Sequence, residues 1–534
     1  MKVLPLLLML LLLAGLGARL WGLGDGLIWR DEGIAAIAGI KLHHANPYDA
    51  RYFSSEHPPV GRWLIGLPSA AVEADYADVL LIQPHLFAFT FLTPWKEVTV
   101  PMRAVVALFG VLAVLFLFLL GRELFGTEAG LWAGALAAVS VDFVAYSRIL
   151  YTDMFALAFS VATMYCFVKY RRAPAGGEWK TMGEYLRRNQ KFLYLLGTLV
   201  FFVLALGSRL LYPLFVAPVL VLAALLSWKG WKDFAAVAGV VLIGLIVFLQ
   251  VVYPPELQAF AFKMHYGVGG YEGFARMQFS AARFVPMLFL RNSYASAFAL
   301  VIAIAGFALL AKNKPSARKP KAVLRWVRAK ESRALLIAFL VVPFLIYLFT
   351  RYGTQPSYTE FMHLPLFILG GWALARARRE VKVAGIALLL LAVAMLVMLH
   401  PAYADYANFG ARDFVIQNFE QGYDPQAMAQ QVIAAMGSLQ GPFLSNEQSI
   451  LYKTAAEPLP PGGFPDCTTD YLDRFVGGYL VYRGSYTSAP TIQEDQLLCP
   501  LVKGYALQLE RSFSTADPED RYPIHLYRIG PRAV

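Results

Sequence analysis

Charge is in short supply. Asp, Glu, Lys and Arg together make up 16% of the 534 positions, against about 25% in an average soluble chain. That shortage excludes an ordinary soluble globular protein, which needs more polar side chains to cover its surface. Cysteine is rarer still. Three residues in the whole chain exclude a disulfide-dense secreted scaffold. Acids number 36 against 47 bases, for a net charge of +11, which by itself would suit a nucleic-acid partner. Placement argues against nucleic acid. The basic stretches "KYRR" (169–172), "RRNQK" (187–191), "WKGWK" (228–232), "KNKPSARKPKAVLRWVRAKESR" (312–333) and "RARREVK" (376–382) all lie between apolar runs. Short basic loops of this kind mark the cytoplasmic side of a membrane, with anionic lipid contact as a secondary role. No internal repeat is present, and no low-complexity tract beyond the basic loop at 312–333.

What the chain has in abundance is apolar residues, 58% of it, with a mean hydropathy of +0.52. Runs such as "VVALFGVLAVLFLFLL" and "VAGIALLLLAVAMLVML" approach the ~20 residues that cross ~30 Å of hydrocarbon. The expected fold is a membrane all-α bundle of about 11 transmembrane helices. Its spans are 3–22, 101–120, 130–147, 154–169, 192–207, 212–228, 234–253, 292–311, 334–350, 361–375 and 383–400. Residues 3–22 are read as an uncleaved first helix; a signal peptide is the alternative. With Lys2 in the cytoplasm, every basic loop named above falls inside, and the acid-richer loop 23–99 falls outside.

That loop contains apolar stretches too short to cross, 34–45 and 60–72, which read as interfacial helices. Residues 79–92 are ambiguous in the same way, because Pro84 interrupts them. From about 401 the composition turns polar and turn-rich. "GGYLVYRG" and "IHLYRI" read as strands and "PQAMAQQVIAAMGSL" as an amphipathic helix. The expected division is therefore a transmembrane domain, 1–400, and a small extracytoplasmic α/β domain, 401–534. Cys166 falls inside a span and reads as a small hydrophobe. Cys467 and Cys499 both fall in the external region, so a disulfide between them is open, though spacing alone does not establish it.

Charges grouped at a membrane boundary need a reason. Under this topology Asp31 and Glu32, Glu56 and His57, Arg148 and Asp153, Arg209, and the segment "RYGTQPSYTEFMHLP" containing Tyr358 all reach the outer face. Acids and bases gathered there can hold a phosphate and activate a hydroxyl in one cavity. Sugar transfer from a lipid-linked phosphate needs those two abilities: a cation where charge develops on the departing phosphate, and a carboxylate to take the acceptor's proton. The histidines His43, His44 and His85 show no metal-ligand spacing, so no metal is expected.

Four motifs in order, "WRDEG", "HPPVGRWL", "GRELFG" and "SRILYTDMFALAF", resemble the protein O-mannosyltransferase family. They also resemble the related lipid A aminoarabinose transferases. Both belong to the C-type glycosyltransferases, membrane enzymes that use polyprenyl-phosphate sugars. The resemblance covers roughly the first 220 residues. It implies that Asp31 is the catalytic base with Glu32 beside it, that His57 contacts the donor phosphate, and that Asp153 shapes the acceptor or donor-sugar pocket. Arg148 and Arg209 are further phosphate candidates. Tyr358 matches a late Arg-Tyr segment of the family, although Ser357 stands where that family has arginine.

The expected activity is thus inverting transfer of a sugar from a polyprenyl-phosphate donor to a protein, lipid or glycan acceptor, at the outer face of an inner (plasma) membrane. The competing classes are a transporter or flippase and a non-catalytic scaffold. Each residue also has a plainer reading. Asp31 and Glu32 can solvate a helix end, His57 can sit in an interfacial turn, Asp153 can cap a helix starting at Met154, and Arg148 and Arg209 can snorkel to headgroups.

Overall fold

The structure is a computed structural model. It describes residues 3–23, 30–44, 58–71, 95–173, 189–209, 211–227, 230–254, 331–349, 360–398, 425–445, 454, 456–458, 469–483, 503–513 and 524–532. The expected span 292–311 and the ambiguous segment 79–92 lie outside them. The chain divides into two compact units. One comprises Met1–Leu23, Asn46–Ile65 and Arg103–Arg412, the other Gly24–Ala45, Gly66–Met102 and Asp413–Val534. The units are interleaved in sequence: Gly24–Ala45 and Gly66–Met102 group with the C-terminal region.

The first unit is helical. Its elements are α1 (Val3–Leu20), α3 (Pro59–Gly66), α4 (Trp95–Phe125), α5 (Thr127–Val139), α6 (Val141–Tyr146), α7 (Asp153–Arg172), α8 (Gln190–Ser208), α9 (Leu211–Leu226), α10 (Trp231–Val247, extended by a π turn over Phe248–Val252), α11 (Glu331–Phe349), α12 (Glu360–Arg376) and α13 (Arg379–Met398). Each expected span other than 292–311 and 130–147 overlaps one of these. The span at 130–147 is broken, because Ser140 adopts an extended backbone between α5 and α6. Among the described residues, three helical stretches are long and apolar enough to cross a membrane by length and composition: Thr99–Phe125, Gln190–Ser208 and Trp231–Val252.

Packing within this unit runs α7 along α8, α12 along α5, and α9 along α11. Small residues allow the closest approach. A Cβ on Gly371 of α12 would lie 2.4 Å from the Ala129 carbonyl of α5, so only hydrogen fits there. The outward faces stay apolar: Leu6, Leu10 and Leu13 on α1, Leu242 and Ile246 on α10, and Leu390 and Leu391 on α13 are all exposed. A water-facing helix would carry polar residues at such positions; a lipid-facing one carries these.

In the second unit, α2 (Arg30–His44) packs on a 3-10 turn at Leu67–Ala71. The C-terminal part holds α14 (Pro425–Gly437), β1 (Phe443–Ser445), β2 (Glu457–Pro458), α15 (Thr469–Asp473), β3 (Tyr479–Arg483), β4 (Tyr505–Phe513) and β5 (Ile524–Arg532). These strands form one mixed sheet in the order β2-β1-β3-β5-β4, parallel at β2-β1-β3 and antiparallel at β3-β5-β4. Alternation along β3 covers both faces. Tyr479 and Val481 pack with Val432 and Met436 of α14, and Leu480 packs with Leu472 of α15 on the other side.

Candidate functional site

Helix α7 is apolar between charged ends. It starts at Asp153 and finishes in Lys169, Arg171 and Arg172. Its 20 residues rise roughly 30 Å, about the thickness of a bilayer's hydrocarbon. The two ends differ in chemistry.

At the Asp153 end, the carboxylate is almost fully buried, its side chain 1% exposed, and Oδ2 accepts from Nη1 of Arg209 in a short ion pair. Arg209 ends α8. Its N–H still bonds to the Ala205 carbonyl at 3.1 Å, while its own backbone has turned extended. The start of α7 and the end of α8 therefore meet, and a buried acid and a part-buried base meet with them. A carboxylate leaves water only when paired, and Arg209 is that pairing.

Helix α3, cut from the "HPPVGRWL" motif, is pressed into the same junction. A Cβ on Gly61 would lie 2.8 Å from both Cβ and Cγ2 of Thr152 and 3.2 Å from the Ser208 carbonyl. Val60 stands against Gly207 of α8 in the same way. Two of the four sequence motifs thus touch, although about ninety residues of chain separate them. Thr152, the N-cap of α7, is buried with Asp153. The helix begins at Asp153 itself, so the aspartate occupies the first helical position, where negative charge is favoured.

Arg148 has a different set of partners. Its Nη1 donates to the carbonyls of Ala18 (3.1 Å), Arg19 (3.2 Å) and Trp21 (2.5 Å), and Nη2 donates to Gly22 (3.1 Å). Ala18 and Arg19 supply carbonyls of the last turn of α1, which the helix end leaves without intrahelical donors, and Trp21 and Gly22 follow directly; a cation there also meets the negative end of the helix dipole. Arg19, fully buried, treats α5 similarly, donating to the Ala138 carbonyl at 3.1 Å and to Ala137 at 3.4 Å. Arg103 donates to the Leu23 carbonyl at 3.0 Å.

At the opposite end of α7, Glu123 of the "GRELFG" motif lies within salt-bridge distance of Arg122, Lys169 and Arg172. Asp233 at the start of α10 takes Arg171 and Lys191 at 3.5 and 3.1 Å. These pairs join α4, α7, α8 and α10 where the sequence expects the cytoplasmic ends.

The remaining expected residues fall elsewhere. Glu32 lies on α2 in the second unit and is fully buried. Asp31 is its neighbour on the same helix; its side chain is outside the described part, as are His57, Tyr358, Cys467 and Cys499. Cys166 is buried in α7 with a free thiol. Among the described residues no group of three or more His, Cys, Asp or Glu could hold a metal ion. The sequence reading passed over Arg62 and Thr152. Arg62 is buried on α3, and an arginine inside the apolar "VGRWLIG" is itself a signal. Thr152 gives no such signal, since a threonine before a helix looks like an ordinary cap.

Residues 48–268 match the sequence model of a family described as "Dolichyl-phosphate-mannose-protein mannosyltransferase". That segment includes Gly61, Arg148, Thr152, Asp153 and Arg209; Asp31 and Glu32 precede it. No curated protein matches the chain. Among solved structures, ArnT from Cupriavidus metallidurans in the apo state is similar at 13% identity, covering 98% of this chain and 97% of its own, with a TM-score of 0.54. The same enzyme bound to undecaprenyl phosphate is similar at 13% identity and the same coverage, with a TM-score of 0.51. In fold, and over 48–268 in sequence, the chain resembles the C-type glycosyltransferases.

Proposed function

We propose that this protein is an integral membrane glycosyltransferase that moves a sugar from a polyprenyl-phosphate donor to a protein, lipid or glycan acceptor at the outer face of the inner (plasma) membrane. The observation that carries the reading is the Asp153–Arg209 pair, its carboxylate buried, at the α7–α8 junction that α3 approaches, inside the segment that matches the mannosyltransferase model. The shared fold with an ArnT structure that binds undecaprenyl phosphate supports a lipid-linked donor.

The chemistry asks for few parts. The acceptor oxygen attacks the anomeric carbon from the face opposite the phosphate. The new C–O bond forms as the bond to the phosphate oxygen breaks, and the electron pair leaves with polyprenyl phosphate, inverting the centre. Asp31 takes the acceptor's proton, a contribution of about 10²–10⁴-fold for a placed general base. Glu32, buried on the same helix, supports it. Arg209, with His57 and Tyr358, offsets the charge that develops on the phosphate, and Asp153 holds Arg209 in place. In the proposed topology the N-terminus is cytoplasmic and residues 401–534 form an extracytoplasmic α/β domain, in which Cys467 and Cys499 can be bonded.

Purified protein incubated with a panel of polyprenyl-phosphate sugars tests this, with released lipid and product weighed by mass spectrometry. The expected result is free polyprenyl phosphate in step with a glycosylated product. An Asp31→Asn variant should lose about 10²-fold or more of that rate while still binding the lipid phosphate. Flux of a lipid-linked substrate across vesicles with no covalent product would show a transporter instead.

A further inference from the structure

Thr152 occupies the N-cap of α7, where a threonine side chain ordinarily accepts from a backbone N–H of the first turn. Here it does not. Its backbone is helical (φ −73°, ψ −6°) and its side chain makes no capping bond. Only its carbonyl serves the helix, accepting from the Ala156 N–H at 3.2 Å. The residue is 3% exposed, and Oγ1 has no hydrogen-bond partner among the described residues.

Buried hydroxyls in native proteins are nearly always paired, because leaving one unpaired costs stability. Gly61 on α3 leaves room for it: a Cβ at position 61 would lie 2.8 Å from both Cβ and Cγ2 of Thr152, and a β-branched side chain has few ways to turn aside. Directly after it in the chain comes Asp153, tied to Arg209. A buried hydroxyl without a partner, next in the chain to a carboxylate that holds a part-buried guanidinium, is a combination suited to a phosphoryl oxygen.

We infer that Thr152 is a donor-binding residue, its hydroxyl donating to an oxygen of the phosphate that joins the polyprenyl chain to the sugar, beside Arg209. This deepens the transferase reading above and rests on it. It also accounts for the close approach of α3: a larger residue at position 61 would displace the threonine from that oxygen.

Binding of polyprenyl phosphate alone, followed by thermal shift in detergent, separates the possibilities. Inorganic phosphate and phosphatidylglycerol serve as the other phosphate sources. Thr152→Val keeps the shape and removes the hydroxyl, so the ligand-free protein should be at least as heat-stable as the wild type. Its affinity for polyprenyl phosphate should fall about 10-fold, the value of one hydrogen bond to a charged group. Thr152→Ser should recover most of that loss, and Thr152→Ala provides a second hydroxyl-free variant if the valine protein does not fold. Equal binding of polyprenyl phosphate by wild type and the hydroxyl-free variants overturns the inference and leaves the transferase reading standing. A response to inorganic phosphate or phosphatidylglycerol equal to that of the polyprenyl ligand also overturns it. A wild type that neither binds polyprenyl phosphate nor transfers from any of its sugars sinks the transferase reading itself, and the role of Thr152 with it.

Discussion

Arg209, the residue that ends α8, is ion-paired through Nη1 with Oδ2 of Asp153, the residue that begins α7. The pair closes one end of an antiparallel helix couple with charges that neither helix could bury alone. Removing one partner strands the other in a medium that solvates it poorly. Asp153→Asn and Arg209→Gln should each destabilise the protein by on the order of 3 kcal/mol. The double variant should lose much less than the sum, because both charges are gone. Thermal unfolding of all four proteins in one detergent gives the coupling.

Arg148 provides the contrasting case. Its hydrogen bonds run to the last carbonyls of α1, so Arg148→Met should lower stability by about 2 kcal/mol and loosen that helix end. The donor KM separates this role from phosphate binding. A purely structural arginine leaves KM close to the wild-type value in whatever protein remains folded, whereas a phosphate ligand raises it.

Gly61→Ala should cost about 1–3 kcal/mol, since the new methyl would sit 2.8 Å from Thr152 and push α3 away from the α7–α8 junction. Transfer activity should fall with it. Gly17→Ala is the control: a Cβ there meets nothing within 4 Å, and alanine favours the helix, so stability should hold or rise slightly. Heat inactivation and initial rates of both variants check this.

The C-terminal sheet should show a specific alkaline sensitivity. Tyr505 is buried, donates to Asp473 at 2.7 Å and to the Thr469 carbonyl at 3.0 Å. Burial, and then the bond to Asp473, push its pKa up to about 12. Its unfolded value is about 10. The raised value means the folded state holds the phenol proton more tightly. That stabilisation is therefore complete below about pH 10 and lost as pH rises from about 10 towards 12. Tyr505→Phe should be less stable by about 1 kcal/mol at neutral pH, and its gap to the wild type should narrow across that alkaline window. Denaturation series at pH 8, 10 and 11 would show the narrowing, and a constant gap would contradict it.

Much of the architecture was legible from residue order. A run such as "VVALFGVLAVLFLFLL" declares a buried or lipid-facing helix wherever it goes, and the β3 stretch "YLVYR" declares a strand by its alternation. The site was legible in part. "TDMF" and "SRLL" each advertised a charge at a helix end, but nothing in either says that Asp153 and Arg209 find each other. Nor does anything in the sequence say that Arg148, five residues before Asp153, donates to the carbonyls at the end of α1. Thr152 was hidden because a capping threonine and an idle one are spelled alike.

By itself, then, the order of residues determined that this chain belongs in a membrane context, where its apolar helices run, and that basic stretches fall between them. Hydropathy, periodicity and helix propensity are local sums, read within a turn or two of chain. Only the tertiary structure decided which arginine pairs with a carboxylate and which caps a helix. It alone brought Gly61 close to Thr152 and grouped Gly24–Ala45 and Gly66–Met102 with the C-terminal region. Those outcomes depend on which helix ends arrive side by side, and a buried charge or hydroxyl is satisfied by whatever stands within about 3 Å of it, however far away that neighbour lies along the chain.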